Sequence, residues 1–192
     1  MIAHLYLIRH GETTWSKSGQ HTSRTDLSLT EAGQAAARKL GERLHPATFS
    51  YLFSSPRRRT LQTCELAGYA QTAEVDADLA EWDYGDYEGL RTVEILEKRP
   101  DWNLFRDGCP NGETPGQVSA RADRFLQRLQ TLEGDVAVFS HGHFGRVLAA
   151  RWIGLPVLEA QHFFLNPASL SILAFEHHNL AEPVIALWNS TS

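Results

Sequence analysis

The sequence predicts an α/β fold with a mainly parallel central sheet, and three observations predict it. Short apolar runs at residues 3–8, 50–54 and 135–140 have the length of buried strands. Segments of helical periodicity stand between them, as crossovers between parallel strands require. The runs end in polar clusters: Arg9-His10-Gly11, Ser54-Ser55 and Ser140-His141-Gly142. Ligands of such sheets bind outside the carboxyl ends of the strands, so three clusters distant in sequence are expected on one rim.

The elements follow in order. Residues 3–8 read as a strand buried on both faces, and the polar, Gly/Ser/Thr-rich residues 9–29 as a loop. A helix then runs to Pro46, with Ala36, Leu40 and Leu44 facing inward. Thr30 is one candidate N-cap, and Ser28 with Glu31 offers a competing capping box. After the strand at 50–54, Pro56 starts a helix that closes near Gly68. Residues 73–76 suit a third strand, and the acidic, aromatic residues 79–89 an ordered loop. Short helices broken by Pro100 are expected over 91–106, and a turn over 107–116. Val118, Ala122, Phe125, Leu129 and Leu132 mark an amphipathic helix. After the strand at 135–140 come a helix at 143–153 and closing strands at 169–175 and 184–188.

Composition narrows the function classes. The 192 residues suffice for one substantial core and are read as a single domain, 1–192. A net charge of −5 gives no basic field for nucleic acid or an anionic membrane. No window is apolar for long enough to span a bilayer, and the N-terminus lacks the basic flank of a signal peptide. Cys64 and Cys109, with no CxxC, suit two reduced thiols in a cytoplasmic protein.

The rim residues point to a chemistry. Arg9, His10, Arg57, Arg58, Arg59, Glu81 and His141 are the main titratable candidates, with Glu12, Asp83, Glu88 and His143 behind them. Cations dominate this set in an acidic protein, which suits an oxyanion such as phosphate, bound bidentately by guanidinium forks. Gly11 and Gly142 each follow a histidine and would let backbone and imidazole approach a ligand closely. Neighbouring arginines should keep a histidine neutral, and a neutral imidazole can attack phosphorus. Arginines and a second histidine can stabilise the transferred group, and a carboxylic acid such as Glu81 can protonate the leaving group. His141 and His143 form an HxH pair, yet the adjacent arginines oppose a cation, so no metal or other cofactor is expected.

Four stretches carry a resemblance. They are Arg9-His10-Gly11-Glu12, Arg59-Thr60-Leu61-Gln62-Thr63, the run at 79–89 (LAEWDYGDYEG) and Ser140-His141-Gly142-His143. In this order they are similar to the histidine phosphatase superfamily, which holds phosphoglycerate mutases and histidine acid phosphatases. The resemblance implies a three-layer α/β/α sandwich. It also implies His10 as the phosphorylated nucleophile, Glu81 as proton donor and then base, and His141 as transition-state stabiliser. Arg9 and Arg59 would hold the phosphoryl group, Arg59 being chosen over Arg57 and Arg58 by the R-x-x-x-T pattern with Thr63. Further substrate contacts are expected from Ser16, His21, Thr22, Ser23, Gly142 and His143. His143 serves equally well as a support for the site or as a helix start.

The resemblance leaves two enzyme readings. Phosphoglycerate mutases carry asparagine where this chain has Ser16 and glycine where it has Ser23, and they are longer. Residues 15–27 look more like a smaller branch of sugar bisphosphatases and acid phosphatases. Hydrolysis of phosphomonoesters, sugar phosphates first, is therefore the expected activity, with the mutase as the alternative. A regulator that binds phosphate without turnover would be expected to lack one of Arg9, His10, Arg59, Glu81 and His141, and all five are present. Lys17, His21 and Arg24 are candidates for a second anionic group of the substrate. A homodimer is compatible with the family, whose members often self-associate.

Overall fold

The computed structural model describes residues 2–69 and 73–192. Six strands form one sheet: β1 (Ile2–Arg9), β2 (Tyr51–Ser54), β3 (Ala73–Val75), β4 (Gly134–Ser140), β5 (Leu170–Phe175) and β6 (Pro183–Ser190). Their spatial order is β3-β2-β4-β1-β5-β6. The pairs β3/β2, β2/β4 and β4/β1 are parallel, whereas β5 runs antiparallel to β1 and β6 antiparallel to β5. The two closing strands follow one another through a short connection, which suits antiparallel pairing.

Side-chain alternation along the strands builds two cores. Leu5, Leu7, Phe53, Val136 and Val138 face one way, against the helices α6 (Pro115–Leu129) and α7 (Gly142–Trp152). Ile8, Leu52, Ala137 and Phe139 face the other way, against α2 (Glu31–Leu44) and α3 (Arg58–Leu66). Helix, sheet and helix therefore stack in three layers, and period-2 strands bury both faces. Short helices α1 (Thr14–Ser18), α4 (Thr92–Lys98) and α5 (Leu104–Asp107) lie in the connections.

Several local expectations shift. Thr30 is the N-cap of α2, its hydroxyl accepting from the Gly33 amide at 3.1 Å, so the Ser28 capping box is not used. Ala37, not Ala36, joins Leu40 and Leu44 in the core, a one-residue rotation that a broad apolar stripe tolerates. The third helix starts at Arg58 rather than at Pro56. Leu132 packs on the core from beyond the end of α6. Helix α1 lies inside the expected loop, fixed by a reciprocal Thr13–Ser16 capping box and ended by Gly19 at φ 80°.

Register delivers the rim. Arg9 pairs with Ser140, and Ser54 pairs with Phe139. Past the strand ends the ladder continues: the His10 amide donates to the Ser140 carbonyl at 3.0 Å and the Ser55 amide to the Phe139 carbonyl at 3.0 Å. Three polar clusters thus emerge side by side, held by backbone bonds.

Candidate active site

His10 leaves the end of β1 with its ring almost fully buried. Its Nδ1 lies 2.7 Å from the Gly11 carbonyl, which can only accept, so Nδ1 carries the proton and the Nε2 lone pair is free. The imidazolium form is strongly disfavoured, first by burial and then by the charges of Arg59 and Arg9. The arginines act in the expected direction, but desolvation is the larger cause. Gly11 has a different role from the one expected. A Cβ there would come within 2.6 Å of the Gly33 carbonyl, so the missing side chain admits helix α2 rather than a ligand.

The R-x-x-x-T pattern acquires a mechanical reason. Thr63 donates its hydroxyl to the Arg59 carbonyl at 2.7 Å, one turn back on α3. The same oxygen accepts the Gly11 amide at 3.0 Å. One hydroxyl therefore ties the helix that carries Arg59 to the corner that carries His10.

Arg59 is fully buried. Its guanidinium donates to the carbonyls of Thr25 (3.2 Å), Thr22 (3.0 Å) and Ser23 (3.3 Å). Arg9 donates to the Leu165 carbonyl. Among the described residues neither arginine forms an ion pair, and burial pulls both below the usual guanidinium range. The Nε atoms of both, and Nδ1 of His141, are buried without a protein partner. A buried guanidinium N–H without a partner suits an anion that replaces its lost solvation. Gly142 leaves space here, since a Cβ would stand 3.2 Å from the Arg9 guanidinium carbon.

His141 is the fully buried N-cap residue of α7, its ring centroid 5.3 Å from that of His10. Its Nε2 lies 2.7 Å from the Ser55 hydroxyl. Ser55, one of the expected rim residues, thereby orients the second histidine. Burial, then Arg59 and His10, keep His141 neutral.

Glu81 is buried beneath the first turn of α7. Its Oε1 accepts the amides of Trp82 (2.9 Å) and Phe144 (2.8 Å), and its Oε2 that of His143 (3.1 Å). These amides, two of them from the first turn of α7, fix the orientation of the carboxyl group. The acidic neighbours are otherwise engaged. Asp83 pairs with Arg24 at 2.5 Å, Glu88 accepts the amides of Ser23 and Thr25, and Asp86 accepts from Asn111. Of the acidic residues at 81, 83, 86 and 88, only Glu81 borders a cleft of about 510 Å³, which Glu12, beyond the end of β1, also borders.

That cleft opens onto some of these groups; Arg59 and His141, both fully buried, are not in its wall. Arg9, His10, Ser16, His21, Thr22, Glu81, Gly142 and His143 line it. Ser23 does not: it borders a neighbouring recess of about 270 Å³, and its carbonyl supports Arg59. Arg24 borders that recess too, bonded to Asp83, and does not line the larger cleft. His21 is buried and pulled down to about 4, mainly by desolvation, so near neutral pH it offers no charge. Lys17 stands exposed at the cleft, 4.0 Å from Glu12. His143 has both roles offered for it: its amide holds Glu81, and its Nδ1 lies 2.6 Å from the Tyr84 hydroxyl. Cys64 and Cys109 are free buried thiols. The one cluster of metal-type donors among the described residues is Glu176, His177 and Glu182, exposed and outside the cleft lining. Among the described residues no helix is long and apolar enough to cross a membrane.

Comparison with known proteins agrees with this geometry. A family model of the histidine phosphatase superfamily (branch 1) matches residues 5–191. An acid phosphatase of Mycobacterium tuberculosis is 45% identical over 177 residues, covering 90% of this chain and 87% of the relative. A sedoheptulose 1,7-bisphosphatase of Saccharomyces cerevisiae is 37% identical, covering 94% and 90%. A Salmonella choleraesuis protein named for phosphoglycerate mutase activity is 29% identical over 90% of this chain and 85% of its own. The solved structure of an open reading frame product from Mycobacterium tuberculosis superposes with a TM-score of 0.92 at 41% identity over 97% of both chains. With its motifs spaced over a three-layer sheet and matched nearly from end to end, the chain belongs to branch 1 of the histidine phosphatase superfamily.

Proposed function

We propose that this phosphatase hydrolyses phosphomonoesters of small sugars through a phosphohistidine on His10. The observation that carries the reading is the tautomer of His10: Nδ1 is committed to the Gly11 carbonyl, and Nε2 is unprotonated beside two buried guanidinium groups. Nε2 attacks phosphorus, the N–P bond forms, and the ester P–O bond breaks. The bond from Nδ1–H to the Gly11 carbonyl stabilises the charge gained by the ring. Arg9 and Arg59 neutralise the equatorial oxygens, and His141 donates to them through Nδ1. The Glu81 carboxyl gives its proton to the leaving alkoxide. As carboxylate it then takes a proton from water, whose oxygen attacks phosphorus and releases phosphate and free His10. No step requires a metal.

The named activities of the relatives support hydrolysis over isomerisation, since the phosphatases are 45% and 37% identical and the mutase-named protein 29%. The test is phosphate release from a panel of sugar phosphates, 3-phosphoglycerate and an aryl phosphate, with excess chelator, beside a coupled mutase assay. Release that persists in chelator is expected. Isomerisation without release would move the protein to the mutases, and silence in both assays would leave only a binding role.

A further inference from the structure

Arg121, on α6, is buried and does not line the cleft of the candidate site. Its bonds use all five N–H groups of the guanidinium. Nε and Nη2 hold the Glu113 carboxylate as a fork, at 2.9 Å each. Nη1 donates to the carbonyls of Asp78 and Ala80, at 2.8 Å to the latter, and Nη2 donates also to the Glu81 carbonyl at 3.4 Å. Arg9 and Arg59, by contrast, each keep a buried Nε without a protein partner. Those two have a donor left for an anion. Arg121 has none, so what it binds is protein.

The segment it binds carries Glu81. Glu113 adds to the grip: its Oε2 accepts the Asp83 amide at 2.9 Å, and its carbonyl accepts the Trp82 indole N–H at 3.0 Å. Its amide donates to the Asp83 carbonyl at 2.9 Å. The Ser140 hydroxyl donates to the Leu79 carbonyl at 2.8 Å. The backbone is thus fixed on both sides of Glu81. The Arg121 guanidinium carbon also lies 4.5 Å from the centroid of the Phe144 ring. Phe144 is the α7 residue whose amide holds Oε1 of Glu81. One side chain therefore touches both supports of the carboxyl group, the loop at 78–83 and the first turn of α7.

We propose that Arg121, locked to Glu113, is a positioning residue for the general acid: it joins that loop to α7 and so fixes where Glu81 delivers its proton. This rests on the phosphatase reading above, in which Glu81 protonates the leaving alkoxide. A misplacement of about 1 Å in such a group costs about 10²-fold in rate. Lysine, with three N–H groups on one nitrogen, cannot span a carboxylate and three carbonyls.

Leaving groups separate this role from a merely structural one. The alkoxide of a sugar phosphate needs the proton, whereas p-nitrophenolate departs without it. The value of kcat/KM covers the steps up to that departure. Its ratio between the fastest sugar phosphate of the panel and p-nitrophenyl phosphate does not depend on how much of a variant folds. In Arg121→Met this ratio should fall about ten-fold or more, and Arg121→Lys should restore part of it at most. Glu113→Gln, a milder change, should lower it in the same direction. In a Glu81→Gln background Arg121→Met should leave the ratio unchanged, because the group it positions is gone. Equal losses on both esters in Arg121→Met and Glu113→Gln would overturn the proposal, and so would an Arg121→Met effect on the ratio that persists in Glu81→Gln. A wild-type ratio in Glu81→Gln would remove Glu81 as the acid, and the proposal with it, while phosphate release still upheld the phosphatase reading. No release from any ester by the wild type would sink that reading itself.

Discussion

The same two-letter word, His-Gly, ends β1 and β4, and the two corners use it in opposite ways. At His10 the anchor is a backbone carbonyl on Nδ1, which leaves Nε2 as a bare lone pair. At His141 the anchor is the Ser55 hydroxyl on Nε2, which leaves Nδ1 buried and without a partner. One ring presents an unprotonated nitrogen and the other a buried nitrogen without a protein partner, though the rings stand 5.3 Å apart. The glycines differ as well. Gly11 is pressed against backbone of α2, whereas Gly142 faces only the movable end of Arg9. What a histidine does here is therefore decided by which nitrogen its neighbours claim, and this is a tertiary fact.

Removing each ring gives the largest test of that difference. His10→Ala should lower kcat by about 10⁴-fold or more, with no phosphoenzyme trapped on acid quench, because the nucleophile itself is lost. His141→Ala should cost about 10²- to 10³-fold and still form phosphoenzyme, since only stabilisation of the transferred group is lost. Equal losses, or phosphoenzyme in the His10 variant, would erase the distinction between the corners.

The glycines give the next test, in stability rather than rate. Gly11→Ala places a methyl 2.6 Å from a carbonyl in the backbone of α2, which cannot move without shifting the helix. A loss of about 2 kcal/mol or more in urea unfolding is expected. Gly142→Ala meets only the Arg9 guanidinium at 3.2 Å. That side chain can yield, so stability should change by under about 1 kcal/mol while KM rises as Arg9 is displaced. The reverse pattern would mean that Gly11, like Gly142, was vacated for the ligand.

This contrast also marks what the sequence could carry. The rim was legible because strands of known direction must end together, whereas the motif from Arg59 to Thr63 was legible by resemblance and its one-turn spacing is explained only by the Thr63 bond to the Arg59 carbonyl. Glu81 was legible only by resemblance; its three amide partners come from its own loop and from α7, 62 and 63 residues away in the chain. Gly33 against Gly11, Ser55 on His141 and Arg146 over Phe105 are contacts between distant segments, with no local period to announce them. The shift from Ala36 to Ala37 has another origin: three successive alanines, at 35, 36 and 37, leave the edge of the apolar stripe undefined.

The smallest effect is the pH dependence of folding, and it asks whether the two corners share a charge state. His10 and His141 are both held well below the ordinary histidine range, first by burial. Unfolded, each titrates near 6.5. Below that pH the unfolded chain binds a proton that the folded chain refuses, so stability is fully present above about 6.5 and is lost as pH falls toward the folded values. Each such histidine steepens this loss by up to about 1.4 kcal/mol per pH unit. Urea unfolding in phosphate-free buffer between pH 7 and pH 5 should therefore show a flatter dependence in both His10→Ala and His141→Ala than in the wild type, and by similar amounts. Flattening in one variant alone would mean that the other ring is protonated in the folded protein. If that ring were His10, the bare Nε2 would not exist and the nucleophile would have to be sought elsewhere on the rim.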